Sequence, residues 1–186
     1  MPATDQAFAH DLIAYASQWS PERGTVALFE HLLVDAEDPF RRERLAGHFT
    51  ASAWVVSADG MRTLLTHHRK LGLWLQLGGH AEGERDLTVA ALKEAEEESG
   101  LTGLTIDPGI FDLDRHCIPE HKGVPEHWHY DVRYVVRAGL NEAYVVSDES
   151  HDLAWRDILV LAQDPDADAS VRRMACKWLA RQSAKT

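Results

Sequence analysis

Three glutamates near the middle of the chain are spaced for metal chemistry. The stretch from residue 87 to residue 101 reads LTVAALKEAEEESGL and contains Glu94, Glu97 and Glu98. In a helix, where each residue turns by about 100°, these carboxylates share about a third of the circumference, with Glu98 at the edge of the apolar face. Clustered carboxylates repel one another and are costly to bury, which a hard divalent cation with oxygen ligands would resolve. The alternative is a solvated face with a Lys93–Glu97 pair of the (i, i+4) kind.

Paired glycines precede this helix, and loop and helix together resemble a known motif. The residues from Gly79 to Leu101 resemble the Nudix box of the Nudix hydrolases, GX5EX7REUXEEXGU, where U is aliphatic. The matching positions are Gly79, Lys93-Glu94-Ala95, Glu97-Glu98 and Gly100-Leu101. Two positions depart from the pattern. Arg85 stands where the first internal glutamate is expected, with Glu84 one place earlier, and Lys93 replaces the arginine.

The resemblance implies a divalent-metal-dependent hydrolase that cleaves a diphosphate linkage in a nucleoside diphosphate joined to another group, or in a related substrate, by attack of water at phosphorus. The implied ligands of Mg²⁺ or Mn²⁺ are Glu94, Glu97, Glu98 and the carbonyl group of Gly79. The general base is expected to be Glu94 or the later loop residue Glu149. Lys93 is included with the catalytic residues because it would hold Glu94.

Histidines are concentrated in the middle third of the chain. His80 follows the paired glycines, and the segment HWHYDVRYVV places His127, His129 and Asp131 on one face of a predicted strand, because alternate side chains of a strand point the same way. Three interpretations are open for these residues: a second metal site, a substrate pocket that donates to phosphates, or the polar face of an edge strand.

The histidines are also similar in position to those of the isopentenyl diphosphate isomerases, a branch of the same superfamily. His80, His48 and the pair His129/Asp131 fall in comparable places. However, the box here keeps its paired glutamates, and no cysteine lies beside Gly79 to act as an acid or base. A hydrolase is therefore the leading hypothesis. The alternatives are an isomerase-like enzyme and a catalytically silent Nudix-like domain that binds a nucleotide.

The elements that would position these residues are mixed along the chain. Helices are predicted over 5–19, 22–37, 86–99 and 170–181, and strands over 49–57, 61–69, 74–77, within 103–118 and over 127–139. A short strand or turn is predicted over 154–162. This order predicts an α/β fold. The resemblance implies a Nudix-type α/β/α sandwich with a mixed β-sheet, preceded by N-terminal helices and closed by a C-terminal helix. Residues 1–43 would form a helical extension and residues 44–186 the Nudix domain.

Composition narrows the function classes further. The 186 residues carry a formal charge of -11 and have no Lys/Arg-rich run, which argues against nucleic-acid binding. The short run HHRK makes Arg69 a candidate to contact the phosphates of a small-molecule diphosphate. Two unpaired cysteines, no signal-peptide pattern and no long apolar run predict a cytoplasmic protein without a membrane partner. The N-terminal helices offer a surface for a homodimer.

Overall fold

A computed structural model describes residues 2–68, 72–121, 123–146 and 150–184. Within these ranges the chain forms five α-helices, one short 3-10 helix and eight strands. In chain order they are α1 (Ala3–Gln18), the 3-10 helix (Ser20–Glu22), α2 (Arg23–Leu33), β1 (Gly47–Val56), β2 (Arg62–His68), β3 (Trp74–Leu75), β4 (Leu77–His80), α3 (Leu87–Ser99), β5 (Thr105–Ile106), β6 (Asp112–Ile118), β7 (His127–Arg137), β8 (Ser150–Asp157), α4 (Ile158–Gln163) and α5 (Ala169–Ser183). No helix in these ranges has the length and apolarity needed to cross a membrane.

The strands form one sheet, which confirms the predicted α/β fold class. Hydrogen-bonded neighbours follow the order β3-β2-β1-β7-β5, with β4 beside β1, β6 beside β7 and β8 beside β2. The register of β6 against β7 is antiparallel and places His116 opposite His129 and Asp112 opposite Arg133. β2 runs antiparallel to β8, with Leu65 opposite Ala154.

The residues divide into two compact units, of which the first contains Met1–Ser52, Gly79–Ala91 and Pro108–Tyr134. Its apolar core is built around Phe49 of β1. The rings of Phe8, Phe29 and Phe40 lie 5.3, 6.1 and 5.1 Å from it. The hydroxyl group of Tyr15 in α1 accepts a hydrogen bond from the Leu113 N–H group at 3.3 Å. The N-terminal helices therefore pack directly on strand residues of this unit.

The second unit contains Ala53–Gly78, Leu92–Asp107 and Val135–Thr186. Its core combines the later part of β1 with β2, α3 and β8, and includes Val55, Leu64, Ala95 and Leu153. The indole N–H group of Trp178 in α5 donates to the Gly60 carbonyl group at 2.8 Å. The C-terminal helix is thereby fixed to the turn between β1 and β2.

Several predicted elements differ from the structure in their limits, and local hydrogen bonds explain two of these differences. The second helix ends at Leu33 instead of Glu37, because the carboxylate of Asp35 accepts the Glu37 N–H group at 3.2 Å and forms a local turn. The stretch 154–162, predicted as a short strand or turn, contains the end of β8 followed by the helix α4. This helix begins where the side chain of Asp157 accepts the Val160 N–H group at 2.9 Å.

Candidate functional site

Local hydrogen bonds set both ends of the glutamate-bearing helix α3. The carboxylate of Asp86 accepts the N–H group of Thr88 at 3.1 Å, which is the capping bond that aspartate forms at helix N-termini. At the other end, Gly100 adopts φ +66° and its N–H group donates to the Glu96 carbonyl group at 2.8 Å. This left-handed C-terminal residue is the one predicted from the sequence. The position of the three glutamates along the chain is thus fixed by the sequence around them.

The helix buries one side, and the glutamates lie at its margin. Ala91 and Ala95 are fully buried, Glu94 and Glu98 are half-buried, and Glu97 is exposed. Because residues four apart are neighbours on a helix, the Glu94 and Glu98 side chains lie side by side along one edge of the buried face. The oxygen atoms of two adjacent half-buried carboxylates are ligands suited to a hard divalent cation.

Glu98 has a defined hydrogen-bond partner in the preceding strand β4. Its Oε2 atom accepts the backbone N–H group of Gly78 at 3.0 Å. This bond orients the carboxylate toward the segment that carries the paired glycines. The sequence did not indicate this bond, since a backbone N–H group has no sequence signature. Gly79, whose carbonyl group is an expected ligand, is the next residue of β4 and is half-buried.

Lys93 contacts the exposed member of the set. Its Nζ atom lies 3.7 Å from a carboxylate oxygen of Glu97, and both side chains are mostly solvent-exposed. This is the (i, i+4) pair that the sequence analysis gave as the alternative to a metal site. A role of Lys93 in holding Glu94 stays a prediction.

The two departures from the box have structural roles outside it. The Glu84 carboxylate accepts the Asp86 N–H group at 2.9 Å where α3 begins. The guanidinium group of Arg85 points to the N-terminal helix: its Nη1 atom lies 2.9 and 2.8 Å from the two carboxylate oxygens of Asp5. Its Nη2 atom lies 3.2 Å from Asp38. Where the motif has a glutamate, this chain therefore has a cation that holds α1.

Four of the predicted histidines come together. The ring centroid of His48 in β1 lies 5.2 Å from that of His80, 5.2 Å from that of His127 and 4.9 Å from that of His129. His48, His80 and His129 each place one ligand atom within 4.8 Å of the others. A fifth imidazole, that of His116 in β6, lies 5.5 Å from the His129 ring. His116 is not among the candidate site residues predicted from the sequence.

The environments of His48 and His129 favour neutral imidazoles. Burial lowers the pKa of His48 to about 4, and neighbouring histidines add to this effect. Burial, with the adjacent histidines, lowers the pKa of His129 to about 2. Imidazoles that are neutral carry a lone pair, so they bind cations or accept hydrogen bonds.

Asp131 belongs to a different network, although it shares a strand face with the histidines. Its carboxylate accepts the hydroxyl groups of Thr50 at 3.0 Å and Ser52 at 2.8 Å, and the Arg133 Nε atom lies 2.7 Å away. Arg133 is fully buried and also contacts Asp112 at 3.1 Å. Burial disfavours its charge, but the surrounding carboxylates raise its pKa above the ordinary value. These contacts place Asp131 in the buried network, and its predicted role in a substrate or metal site stays a prediction.

Gly47 allows the start of β1 to approach β7 closely. It adopts φ +147°, and a Cβ atom at this position would lie 2.7 Å from the Trp128 carbonyl oxygen and 3.0 Å from the Trp128 Cβ atom. Since such contacts are too short, only glycine fits here. The residue therefore sets the distance between His48, which follows it, and the histidines of β7.

Two predicted site residues, Arg69 and Glu149, lie outside the described residues. Their proposed roles in phosphate contact and as general base therefore stay predictions. The structure brings His48, His80, His127 and His129 together and places Glu94 beside Glu98 on α3.

Comparisons with known proteins identify the family and the fold of this chain. A sequence model of the NUDIX domain matches residues 47–178. The chain belongs to the Nudix family. No curated protein matches the sequence. This family membership supports its classification as a Nudix pyrophosphohydrolase.

Solved structures show the same fold. A NUDIX-family hydrolase from Clostridium perfringens is 24% identical with a TM-score of 0.57, covering 73% of this chain and 97% of that one. The Ap4A hydrolase of C. elegans is 19% identical with a TM-score of 0.58, covering 73% and 98%. The dihydroneopterin triphosphate pyrophosphohydrolase of E. coli is 17% identical with a TM-score of 0.57, covering 72% and 95%. These likenesses establish the Nudix architecture of the chain.

Proposed function

We propose that this Nudix protein is a divalent-metal-dependent hydrolase that cleaves a diphosphate linkage in a nucleoside diphosphate joined to another group, or in a related small molecule. The observation that carries the proposal is the half-buried pair Glu94 and Glu98 on one edge of α3, with Glu98 held by the Gly78 N–H group at 3.0 Å. Ionised carboxylates side by side at a buried margin are stabilised by a cation between them.

The donor set fits Mg²⁺ or Mn²⁺. Glu94, Glu97 and Glu98, with the Gly79 carbonyl group, would hold the ion through oxygen atoms, which both metals prefer. When bound, the ion supplies positive charge to phosphate oxygens and lowers the pKa of coordinated water. Such charge matters here because the chain carries a formal charge of -11, which by itself repels a polyphosphate.

Groups of the protein itself would orient the metal ligand and accept the proton of the attacking water. The Gly78 N–H group restricts the rotamers of Glu98, so this carboxylate is oriented before a substrate binds. Glu94 and Glu149 are the candidate general bases, each of which would take a proton from the attacking water. The oxygen–phosphorus bond to water forms while the anhydride bond breaks, and the displaced phosphate oxygen leaves with one of the products.

A substrate panel tests this proposal. Purified full-length protein is incubated with nucleoside triphosphates, ADP-ribose, dinucleoside polyphosphates and isopentenyl diphosphate, each with Mg²⁺ and with Mn²⁺. We expect metal-dependent release of phosphate or monophosphate from at least one diphosphate-containing compound. In ¹⁸O-labelled water the label is expected in a phosphate product, because water attacks phosphorus.

Other outcomes would point elsewhere. Tight nucleotide binding without turnover would favour a silent binding domain, an alternative that the Lys93–Glu97 pair supports because it occupies one box carboxylate. Conversion of isopentenyl diphosphate with its diphosphate intact would favour an isomerase. Either result refutes the hydrolase proposal.

A further inference from the structure

The histidine cluster is a second candidate metal centre, with ligands unlike those of the glutamate helix. We propose that His48, His80 and His129 bind a transition-metal ion such as Zn²⁺. One ligand atom of each lies within 4.8 Å of the other two. The three residues are in β1, β4 and β7, so a sheet, rather than a loop, holds them in place. Sites on rigid elements keep ligand geometry better than sites on loops.

A backbone contact of His48 determines which of its ring nitrogens carries the lone pair. Its Nδ1 atom lies 3.2 Å from the Arg44 carbonyl oxygen. Because a carbonyl group only accepts, the proton is on Nδ1 and the lone pair is on Nε2. A backbone carbonyl group that orients an imidazole in this way is the usual second partner of a metal-binding histidine.

The surroundings of the His48 Nε2 atom support a metal site independently of the distances between the histidines. The residue is 2% exposed, and its Nε2 atom is buried without a hydrogen-bond partner among the described residues. A buried nitrogen without a partner is unfavourable by about 1–3 kcal/mol. A metal ion bound to this atom would remove that cost.

His127 lies beside the three converging histidines and is a candidate for a fourth ligand. Its Nδ1 atom lies 2.8 Å from the Pro125 carbonyl oxygen, which again places the lone pair on Nε2. That Nε2 atom lies 3.3 Å from the Nε2 atom of His129. Two ligands of a tetrahedral zinc ion, each about 2.0–2.1 Å from the metal, lie about 3.3–3.4 Å apart. The separation of the two nitrogens therefore suits one shared ion.

The ligand chemistry distinguishes this centre from the carboxylate set and from a phosphate pocket. Imidazole nitrogens favour Zn²⁺, Co²⁺, Ni²⁺ or Cu²⁺, whereas Mg²⁺ favours oxygen. Phosphate oxygens accept hydrogen bonds, and the Nε2 atoms of His48 and His127 also accept in the tautomers described. A cation therefore matches the cluster better than an anion does.

Metal titration of the full-length protein tests the proposal without any measurement of turnover. Protein freed of metals with a chelator is titrated with Co²⁺ in excess Mg²⁺, and visible absorption reports nitrogen coordination. Zn²⁺ affinity is then measured by competition with a coloured chelator. We expect the protein to bind one equivalent of Co²⁺, which Zn²⁺ then displaces. The same titration on Glu98→Gln protein is expected to be unchanged, because the box carboxylates are not its ligands.

Three variants decide the assignment. His48→Ala and the less buried His80→Ala are each expected to weaken Zn²⁺ binding at least about 100-fold, since loss of a partner that merely orients a ligand already costs about 10–100-fold. His10→Ala, an exposed histidine of α1, is the matched control and is expected to bind Zn²⁺ like the wild type. If His48→Ala does not fold, His80→Ala alone decides. The proposal is refuted if the wild type binds no Co²⁺ or Zn²⁺, if His80→Ala and His10→Ala bind equally, or if Glu98→Gln abolishes binding.

Discussion

Restoring the family glutamate at position 85 is expected to destabilise this protein. Arg85 contacts both carboxylate oxygens of Asp5, at 2.9 and 2.8 Å, and its guanidinium group lies 4.9 Å from the centre of the Phe40 ring. The Asp5 side chain is only 6% exposed and that of Arg85 is 33% exposed. Arg85→Glu would leave Asp5 without this cation and place a third carboxylate near Asp5 and Asp38.

The magnitude follows from the burial of the pair. Removing one partner of a buried ion pair costs about 3–5 kcal/mol. Because Arg85 is one third exposed, we expect a loss near the lower end, about 3 kcal/mol. With a urea slope of about 2 kcal/mol per molar, the unfolding midpoint would fall by about 1.5 M. Arg85→Lys keeps the charge but loses the two-pronged contact, so its loss should be smaller.

Arg42→Glu is the matched control, because it reverses the charge of an exposed pair. Arg42 lies 3.3 Å from Glu82, and these side chains are 58% and 50% exposed. Exposed pairs contribute about 0.2–1 kcal/mol, so this variant should lose less than about 1 kcal/mol. Urea unfolding followed by far-UV circular dichroism measures both variants, and hydrogen exchange reports whether α1 opens. Equal losses of stability in the two variants would contradict this prediction, as would an Arg85→Glu protein that keeps wild-type stability and gains activity.

Two further predictions concern the packing around the site. Gly47→Ala should cost at least about 2 kcal/mol in urea unfolding, because its φ of +147° and the 2.7 Å approach of a backbone oxygen exclude a Cβ atom. Gly24→Ala, in α2 with open space around it, should instead gain about 0.5–1 kcal/mol. Equal effects of the two glycine substitutions on stability would contradict this prediction. Tyr15→Phe should cost about 1–2 kcal/mol at neutral pH, since the hydroxyl group bonds Glu22 and Leu113. Burial raises the pKa of Tyr15 above 10, so its contribution is full below pH 10 and is lost above it. The melting temperature should therefore fall less steeply between about pH 9 and pH 12 in the variant than in the wild type. Parallel curves would argue against this contribution of the hydroxyl group.

Local sequence predicted the glutamate helix well. Its apolar spacing and the glycine at position 100 indicated where α3 runs and ends, and the structure has the helix over Leu87–Ser99. Both signals act over one or two helical turns, so no knowledge of the fold is required. The order of strands and helices, together with the box, was sufficient for the fold class.

Contacts between distant parts of the chain could not be predicted in this way. Strand alternation correctly placed His129 and Asp131 on one face, but their separate environments depend on β1. Thr50 and Ser52 draw Asp131 into the buried network, whereas His48 joins the other histidines. Each of these partners is about eighty residues away in sequence, and the register that brings them together is set by the whole sheet.

His116, which was not predicted as a site residue, did have a signal in the sequence. Asp112, Asp114 and His116 alternate along β6, and each lies opposite a polar residue of β7. This alternation, combined with the alternation of histidines along β7, would have indicated that His116 lies opposite His129. By contrast, nothing local indicates that Arg85 contacts Asp5, because the two residues are 80 positions apart.

We expect the carboxylate charge of Glu98 to be needed for metal-dependent hydrolysis. Glu98→Gln keeps an oxygen that can accept the Gly78 N–H group, so it removes the charge while the hydrogen bond remains available. On the substrate identified by the panel, we expect kcat with Mg²⁺ or Mn²⁺ to fall at least about 100-fold. Glu96→Gln, which changes an exposed neighbour on the same helix, should retain wild-type turnover. Equal turnover by the two variants would contradict the assignment of the metal site to α3.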